Sequence, residues 1–119
     1  MKENNWQVGY YLSPRGENLI KKFLDSLGKQ QQVKVLRIFQ YLEEYGLQTI
    51  IPHLRKLKGT PLWEIRIRGK DNIRLIYVVP FKKFVLVLHG FLKKTRETPR
   101  KEIEIALGRY QEWRKRART

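Results

Sequence analysis

The stretch LWEIRIRGKDNIRLIY, Leu62–Tyr77, contains two runs of β-forming residues separated by a short polar segment. Both runs are rich in Ile and also contain Leu and an aromatic residue, as expected of strands. The intervening GKDN has the length and composition of a hairpin turn. The stretch therefore predicts a β-hairpin, and this hairpin carries three arginines: Arg66, Arg68 and Arg74.

The positions of these arginines follow from the alternation of side chains along a strand. Glu64, Arg66 and Arg68 share one face of the first strand, and the Trp and Ile residues between them share the other. If the turn closes a hairpin, Arg74 lies across from Arg66 and Arg68. Guanidinium groups stay charged and can hold a phosphate through two hydrogen bonds. The pattern therefore predicts either a phosphate site or a solvated strand face on which Glu64 pairs with an arginine.

Hydrophobic periodicity predicts the elements around the hairpin. A strand is expected over residues 6–12. The helix that follows has its apolar pattern over 17–27, with Ser13 as the expected cap and Pro14 in its first position. A second helix is expected over 30–45, and Gly46 ends it. Residues 47–61 mix helix breakers with basic residues and are expected to form a surface connection. The run 84–88 within a third strand, 84–91, is apolar without alternation, which predicts cover on both faces. A last helix is expected over 99–113, followed by a basic tail, 114–119, that frays.

The predicted order, β-α-α-β-β-β-α, indicates an α+β fold in which a small, chiefly antiparallel sheet packs against helices. A chain of 119 residues is the length of one domain, so we expect a single domain over residues 1–119.

The composition indicates the class of partner. The chain has 26 Lys and Arg against 11 Asp and Glu, a formal net charge of +15. Such a surplus favours nucleic acid as the partner; an anionic membrane and a basic protein without a matching partner are the alternatives. No apolar run is long enough to span a bilayer, and the first residues lack the apolar region of a signal peptide, so we expect no membrane association. The absence of cysteine is compatible with the reducing cytoplasm, where we expect the protein to act.

The sequence predicts neither a metal nor a cofactor. Without cysteine there is no thiolate ligand, and the two histidines, His53 and His89, do not show ligand spacing. No glycine-rich nucleotide-binding motif is present.

Two further groups of polar residues are basic clusters that could contact phosphate. One follows the apolar strand and precedes the N-terminus of the last helix, where phosphate is favoured; the other is in the connection before the hairpin. Each could also be no more than a solvated loop. The first group is His89, Lys93, Lys94, Thr95 and Arg96; the second is Arg55, Lys56 and Lys58.

Two observations on single residues leave alternatives open. His89 is either a core histidine bonded to a backbone carbonyl or a proton donor or acceptor near pH 7. Tyr77 is expected in the core. Tyr110 and Trp113 have the spacing of helix-packing residues, although the basic tail beyond them could press an aromatic ring against a base.

The stretches LRKLKGTPLWEIRIRGKDNIRLIYVV and LHGFLKKTRETPRKEIEIAL resemble the phage-derived HigB-like branch of the RelE/ParE toxin superfamily. The resemblance extends over nearly the whole chain, from GYYLSPRGENLIKKFLDSL to RYQEW. It implies an α+β fold, toxicity to the host cell and a cognate HigA-like antitoxin with a helix-turn-helix domain. It also implies an mRNA interferase, an endoribonuclease that cuts messenger RNA on the ribosome.

The resemblance also assigns roles to residues. The arginine of W-E-I-R is Arg66, that of R-L-I-Y is Arg74, and the basic loop supplies Lys93 and Lys94. The two arginines would hold the scissile phosphate while the RNA 2′-hydroxyl attacks it without a metal, and Lys93, Lys94 or His89 would move protons. The other basic residues and Thr95 would contact RNA: Arg55, Lys56, Lys58, Arg68, Thr95 and Arg96.

The resemblance leaves two alternatives to cleavage. The ParE-like branch shares the fold but inhibits DNA gyrase, and a non-catalytic nucleic-acid-binding module would use the same phosphate contacts. The density of arginine and lysine favours the nuclease. The chain departs from the RelE pattern in its late tyrosine, because Tyr110 lies on the packing stripe of the last helix.

Overall fold

The computed structural model describes residues 5–69 and 72–118. Its centre is a five-stranded sheet in the order β1-β5-β4-β3-β2, in which β1 runs parallel to β5 and every other neighbouring pair is antiparallel. The strands are β1 (Gln7–Tyr10), β2 (Leu54–Lys56), β3 (Trp63–Ile67), β4 (Ile73–Phe81) and β5 (Phe84–Leu92). The predicted α+β fold with a chiefly antiparallel sheet is confirmed. The residues Lys70 and Asp71 of the predicted hairpin turn lie outside the described residues.

The connection 47–61 is more ordered than we expected from its breakers and charges. A 3-10 helix, Leu47–His53, buries Ile50 against the core, and β2 pairs with β3, so the expectation of a plain surface connection is wrong. A strand of three residues is too short for alternation to reveal it.

The two N-terminal helices are α1 (Leu19–Asp25) and α2 (Lys29–Tyr45). The cap of α1 is Asn18, whose Oδ1 accepts a hydrogen bond from the Lys21 N–H at 2.9 Å. The predicted start at Ser13 and Pro14 is wrong, because Ser13 instead closes a turn: its Oγ accepts from the Glu17 N–H at 3.0 Å. Helix α2 ends as predicted at Gly46, which has a φ of 95°.

The helices cover the sheet on both faces, and β5 shows how. The backbone of Gly90 lies against the ring of Phe23 on α1. The neighbouring His89 contacts Glu102 on the last helix, α3 (Arg100–Ala117). Because successive residues of a strand face opposite sides, α1 and α3 pack on opposite faces. The predicted two-sided cover is confirmed for residues 85–88 of β5, and Tyr77 lies in the core as expected, at 1% exposure.

Helix α3 continues to Ala117, four residues past its predicted end at Trp113. The Arg116 guanidinium donates to the backbone carbonyls of Leu12 and Ser13 and pairs with Glu112. These contacts hold the last turns of the helix, so the expected fraying from residue 114 is wrong for the helical residues 114–117. No helix in the described part of the chain is both long and apolar enough to cross a bilayer.

Candidate functional site

Arg66 and Arg74 are directly opposite each other in the pairing of β3 with β4, so both side chains lie on the face covered by α3. Arg74 is 7% exposed, and its Nη1 donates to the Ile73 carbonyl at 3.1 Å; Arg66 is half-buried. Like charges at such a cross-strand position destabilise a sheet. This pair therefore needs negative charge beside it.

Glu64 supplies part of that charge from the same face of β3. Its side chain is fully buried at 0% exposure, and its Oε1 lies 3.7 Å from Arg74 Nε. Its Oε2 accepts a hydrogen bond from the Thr98 hydroxyl at 2.7 Å. The alternative of a solvated strand face is wrong for Glu64, because its carboxylate is closed off from water; the pairing with an arginine that this alternative included is present, with Arg74.

Lys93 enters the site from the end of β5. Its backbone N–H donates to the Asn72 carbonyl at 2.7 Å, and its side chain is 9% exposed. Burial lowers the pKa of its amine, as do the positive charges of Arg74, Arg55 and Arg66, while Glu64 acts in the opposite direction. Arg55 lies opposite Glu64 on β2. We refer to these five residues as the Glu64 cluster: Arg55, Glu64, Arg66, Arg74 and Lys93.

The Glu64 cluster contains polar atoms without partners. In the described part of the chain, the buried side-chain atoms that lack a hydrogen bond are Glu64 Oε1, Arg66 Nε and Arg74 Nε. Buried polar atoms in folded proteins are nearly always bonded. Arg74 Nε and Glu64 Oε1 are the two atoms of the 3.7 Å ion pair, which leaves Arg66 Nε as the buried donor that an added anion could bond.

Burial lowers the pKa of Arg74, and Arg66, Arg68 and Arg55 lower it further, against the effect of Glu64. An arginine still keeps its charge under such conditions. The charge of the exposed Arg68 therefore acts on Arg74, and Arg68 lies at the border of the cluster.

The structure places His89 apart from the Glu64 cluster, between β5 and α3. Its Nε2 lies 2.9 Å from Glu102 Oε1, its Nδ1 lies 3.4 Å from Arg109 Nη1, and its ring stacks on Phe91. Burial lowers its pKa, as does the charge of Arg109, against the hydrogen bond and charge of Glu102. Both ring nitrogens thus contact α3, which makes His89 a link between strand and helix; its role in moving protons stays a prediction.

The remaining predicted residues are not part of the cluster. Lys56 alternates to the other face of β2, where its amine lies 5.7 Å from the centre of the Trp63 ring. The loop after β5 is exposed, and its Thr95 hydroxyl donates to the Glu97 carbonyl at 2.7 Å. Like Arg55, Lys56 and Arg68, these predicted residues are exposed: Lys58, Lys94, Thr95 and Arg96.

A groove of about 660 Å³ adjoins the cluster, between α2, the 3-10 helix and β3. Arg66 lines this groove next to Ile67, although the side chains of these two neighbours point to opposite faces of β3. The apolar lining of the groove includes Ile38, Ile50 and Ile67, and its basic lining includes Lys34, Arg37 and Arg68. The groove therefore combines an apolar lining with positive charge at one border of the cluster.

Three contributors to this region were not predicted as site residues: Glu64, Thr98 and Arg109. Alternation placed Glu64 on the correct face, but its burial depends on the segment 93–99, which brings Thr98 to it. Arg109 donates to the Leu88 carbonyl at 2.8 Å and so fixes α3 beside His89. Within residues 5–69 and 72–118 no group of three His, Asp or Glu side chains could hold a metal ion.

Comparisons with known proteins agree with this architecture. A solved structure of an E. coli RelE toxin mutant in the free state matches with a TM-score of 0.58 and 20% identity, over 88% of this chain and 97% of that one. No curated protein sequence matches significantly. The model of the family described as "Phage derived protein Gp49-like (DUF891)" matches residues 22–111. The chain therefore belongs to the phage-derived Gp49-like family, and its fold is similar to that of the RelE toxin.

Proposed function

We propose that this protein is the toxin of a type II toxin–antitoxin system, of the HigB-like kind, and that it cuts messenger RNA on the ribosome in the cytoplasm. Its family and its fold support the toxin role. The observation that carries the proposed cleavage is the Glu64 cluster, in which the buried Arg66 Nε and Arg74 Nε have no hydrogen-bond acceptor and Arg74 Nε has only its 3.7 Å ion pair with Glu64. A phosphodiester would supply both the missing acceptors and the missing negative charge.

The proposed reaction uses a nucleophile that belongs to the RNA. The 2′-oxygen attacks the adjacent phosphorus, the bond to the 5′-oxygen breaks, and the products are a 2′,3′-cyclic phosphate and a 5′-hydroxyl. Arg66 and Arg74 hold the non-bridging oxygens, where negative charge accumulates, and a well-placed donor of this kind contributes roughly 10²- to 10³-fold in rate.

Two proton transfers complete the reaction. Lys93 is the best-placed base, because burial and the neighbouring cations lower its pKa and raise the fraction of neutral amine that can take the 2′ proton. Lys94 follows it in the chain, is exposed, and remains our candidate for protonating the leaving 5′-oxygen. The ribosome would orient the message so that these groups reach its atoms, which explains why we expect free RNA to be a poor substrate.

The groove beside Arg66 fits the proposed antitoxin. A segment with apolar side chains toward Ile38 and Ile50 and carboxylates toward Lys34 and Arg37 would match its lining. Arg66 also lines this groove, so a segment bound there would lie next to the proposed phosphate site.

The test compares Arg74→Ala and Arg74→Lys with Arg100→Ala, a control on α3 that removes an exposed arginine. Each chain is induced in a bacterium without antitoxin, and new 5′ ends are mapped on messages with and without a block of translation initiation. We expect cuts within coding regions that disappear with the block, fall about 100-fold or more in both Arg74 variants, and persist in Arg100→Ala.

Other outcomes would contradict this proposal. Growth arrest with intact messages and inhibited gyrase would indicate a ParE-like activity. Binding of RNA without cutting would indicate a non-catalytic module. Thermal unfolding of the purified variants separates a catalytic defect from a folding defect, and Arg74→Lys keeps the positive charge next to Glu64.

A further inference from the structure

The turn between β4 and β5 presents an aromatic ring to solvent. Phe81 is 59% exposed and stacks on Phe84, with ring centres 4.7 Å apart and planes at 11°. One face of the Phe81 ring is thus packed on Phe84, which leaves the side chain supported in place. The two residues that follow Phe81 in the chain and form the turn, Lys82 and Lys83, are both cations.

The C-terminal half of α3 lies beside this turn. A pocket of about 390 Å³ lies between Phe81 and the helix residues Tyr110, Trp113, Arg114 and Arg118. The Tyr110 and Trp113 rings stack with their centres 6.4 Å apart, and the Arg114 guanidinium lies 5.4 Å from the centre of the Tyr110 ring. Aromatic rings and guanidinium planes therefore meet in one surface, which we call the aromatic–basic surface: Phe81, Lys82, Lys83, Tyr110, Trp113, Arg114 and Arg118.

The charge of this surface favours one class of occupant. All its charged members are cations, and none of the residues that line the pocket is a carboxylate. A second copy of this chain would bring the same positive charge against it. Single-stranded nucleic acid offers phosphates to the cations and flat bases to the rings, and proteins bind it through such combinations of basic and aromatic side chains.

The aromatic–basic surface is distinct from the Glu64 cluster. Arg74 and Phe81 lie near opposite ends of β4, seven residues apart, which corresponds to about 23 Å along an extended strand. We propose that the aromatic–basic surface is a second RNA-binding site, at which an unpaired base stacks on Phe81 and the flanking phosphates contact Arg114 and Arg118. This site does not depend on cleavage at the cluster.

The test separates base stacking from charge. The purified chain is titrated with a 2′-O-methylated oligouridine, which has no attacking hydroxyl, and with inorganic polyphosphate, which has no bases, at one salt concentration. Phe81→Ala is expected to weaken oligouridine binding about fivefold or more and to leave polyphosphate binding unchanged. Phe81→Tyr, which keeps the ring, should retain the affinity of the parent chain.

Two controls complete the design. Tyr45→Ala removes a ring that is 52% exposed at the end of α2, outside the groove, and should change neither affinity. The double variant Arg114→Gln, Arg118→Gln should weaken the binding of both polyanions. An unchanged oligouridine affinity in Phe81→Ala, or an equal loss for both polyanions, would overturn the proposal. Because neither probe can be cut, these results are independent of whether the protein is a nuclease.

Discussion

At the scale of single residues, the buried carboxylate of Glu64 decides how its neighbours are held. It lies 3.7 Å from Arg74 Nε, accepts a hydrogen bond from Thr98, and opposes the lowering of the Lys93 pKa. Removing one partner from a buried ion pair leaves an uncompensated charge, which is more costly than the pair is stabilising. The negative charge of Glu64 therefore contributes both to the stability of the cluster and to the pKa of Lys93.

Glu64→Gln tests this connection, because it keeps the shape of the side chain and removes its charge. We expect a loss of about 3 kcal/mol in the free energy of unfolding, since the buried Arg74 loses its anion. Urea unfolding of the purified protein measures the change. Glu104→Gln, which removes an exposed carboxylate paired with Arg100, is the control and should alter stability by less than about 0.5 kcal/mol. Equal stabilities of the two variants would show that Glu64 has no anchoring role.

The pKa of Lys93 gives a prediction on the rate of cleavage. If its neutral amine is the base, the rate rises with pH until the amine is deprotonated, at a pH below the ordinary value of 10.5. Arg55→Gln removes one of the positive charges that lower this pKa, so the rising limb should move to higher pH. The measurement is the pH profile of cutting on isolated ribosome–message complexes.

Arg96→Gln removes a positive charge from the exposed loop after Lys93 and is the matched control, with an unshifted limb expected. A limb that stays in place in Arg55→Gln would exclude Lys93 as the titrating base. Lys93→Arg should abolish the limb, because it keeps the positive charge and cannot take up the proton.

The sequence revealed the cations of the cluster better than its carboxylate. Alternation along β3 and the hairpin turn predicted that Arg66 and Arg74 share a face, and the register of the strands agrees. Alternation does not tell what covers that face. Glu64 is buried because the segment 93–99 folds back and brings Thr98 to it, a long-range contact that no local pattern encodes.

At the scale of elements, β5 supports both helical layers through adjacent residues. Position 90 requires glycine, because α1 packs directly on the backbone there. A Cβ on Gly90 would lie 2.4 Å from Phe23 Cδ2. His89, on the other side, contacts Glu102 and Arg109 of α3. The site at the end of β5 therefore depends on how closely these layers pack.

Gly90→Ala should push α1 away from β5 and destabilise the fold by about 1–3 kcal/mol, the usual effect of overpacking. Gly108→Ala on α3 is the control, because nothing lies within 4 Å of its added Cβ and alanine favours a helix. We expect this control to raise stability by about 1 kcal/mol. Thermal unfolding of both variants measures the difference, and a Gly90→Ala protein as stable as its parent would contradict the packing described here.

Helices and strands long enough to show a hydrophobic periodicity could be predicted from the sequence, and shorter elements could not. The hairpin, β5 and α2 each carry enough apolar residues for their periodicity to identify them. The three residues of β2 are set by pairing with β3, and the last turns of α3 are set by Arg116 contacting the carbonyls after β1. In both cases the deciding contact comes from a distant part of the chain.

At the scale of the whole molecule, part of the positive charge behind the net +15 is concentrated on three surfaces. The Glu64 cluster, the groove beside it and the aromatic–basic surface each concentrate cations next to a different lining: buried strand residues, aliphatic side chains and aromatic rings. The general charge accelerates encounters with any polyanion or acidic protein. The uncharged residues next to the cations determine which partner binds to each surface.

The groove gives the last prediction, since an acidic antitoxin segment would be repelled by a carboxylate placed there. Tyr41 lines the groove and is 51% exposed, so Tyr41→Glu should leave the fold intact and weaken neutralisation by the antitoxin about tenfold or more. Val33→Glu is matched to it, because Val33 lies on the same helix with 51% exposure and does not line the groove. Growth of cells that carry each chain with increasing amounts of the antitoxin measures neutralisation. If Tyr41→Glu and Val33→Glu are neutralised equally, the antitoxin binds elsewhere. Message cutting is measured in the same cells without antitoxin, and normal cutting by both variants would show that the Glu64 cluster works without the groove.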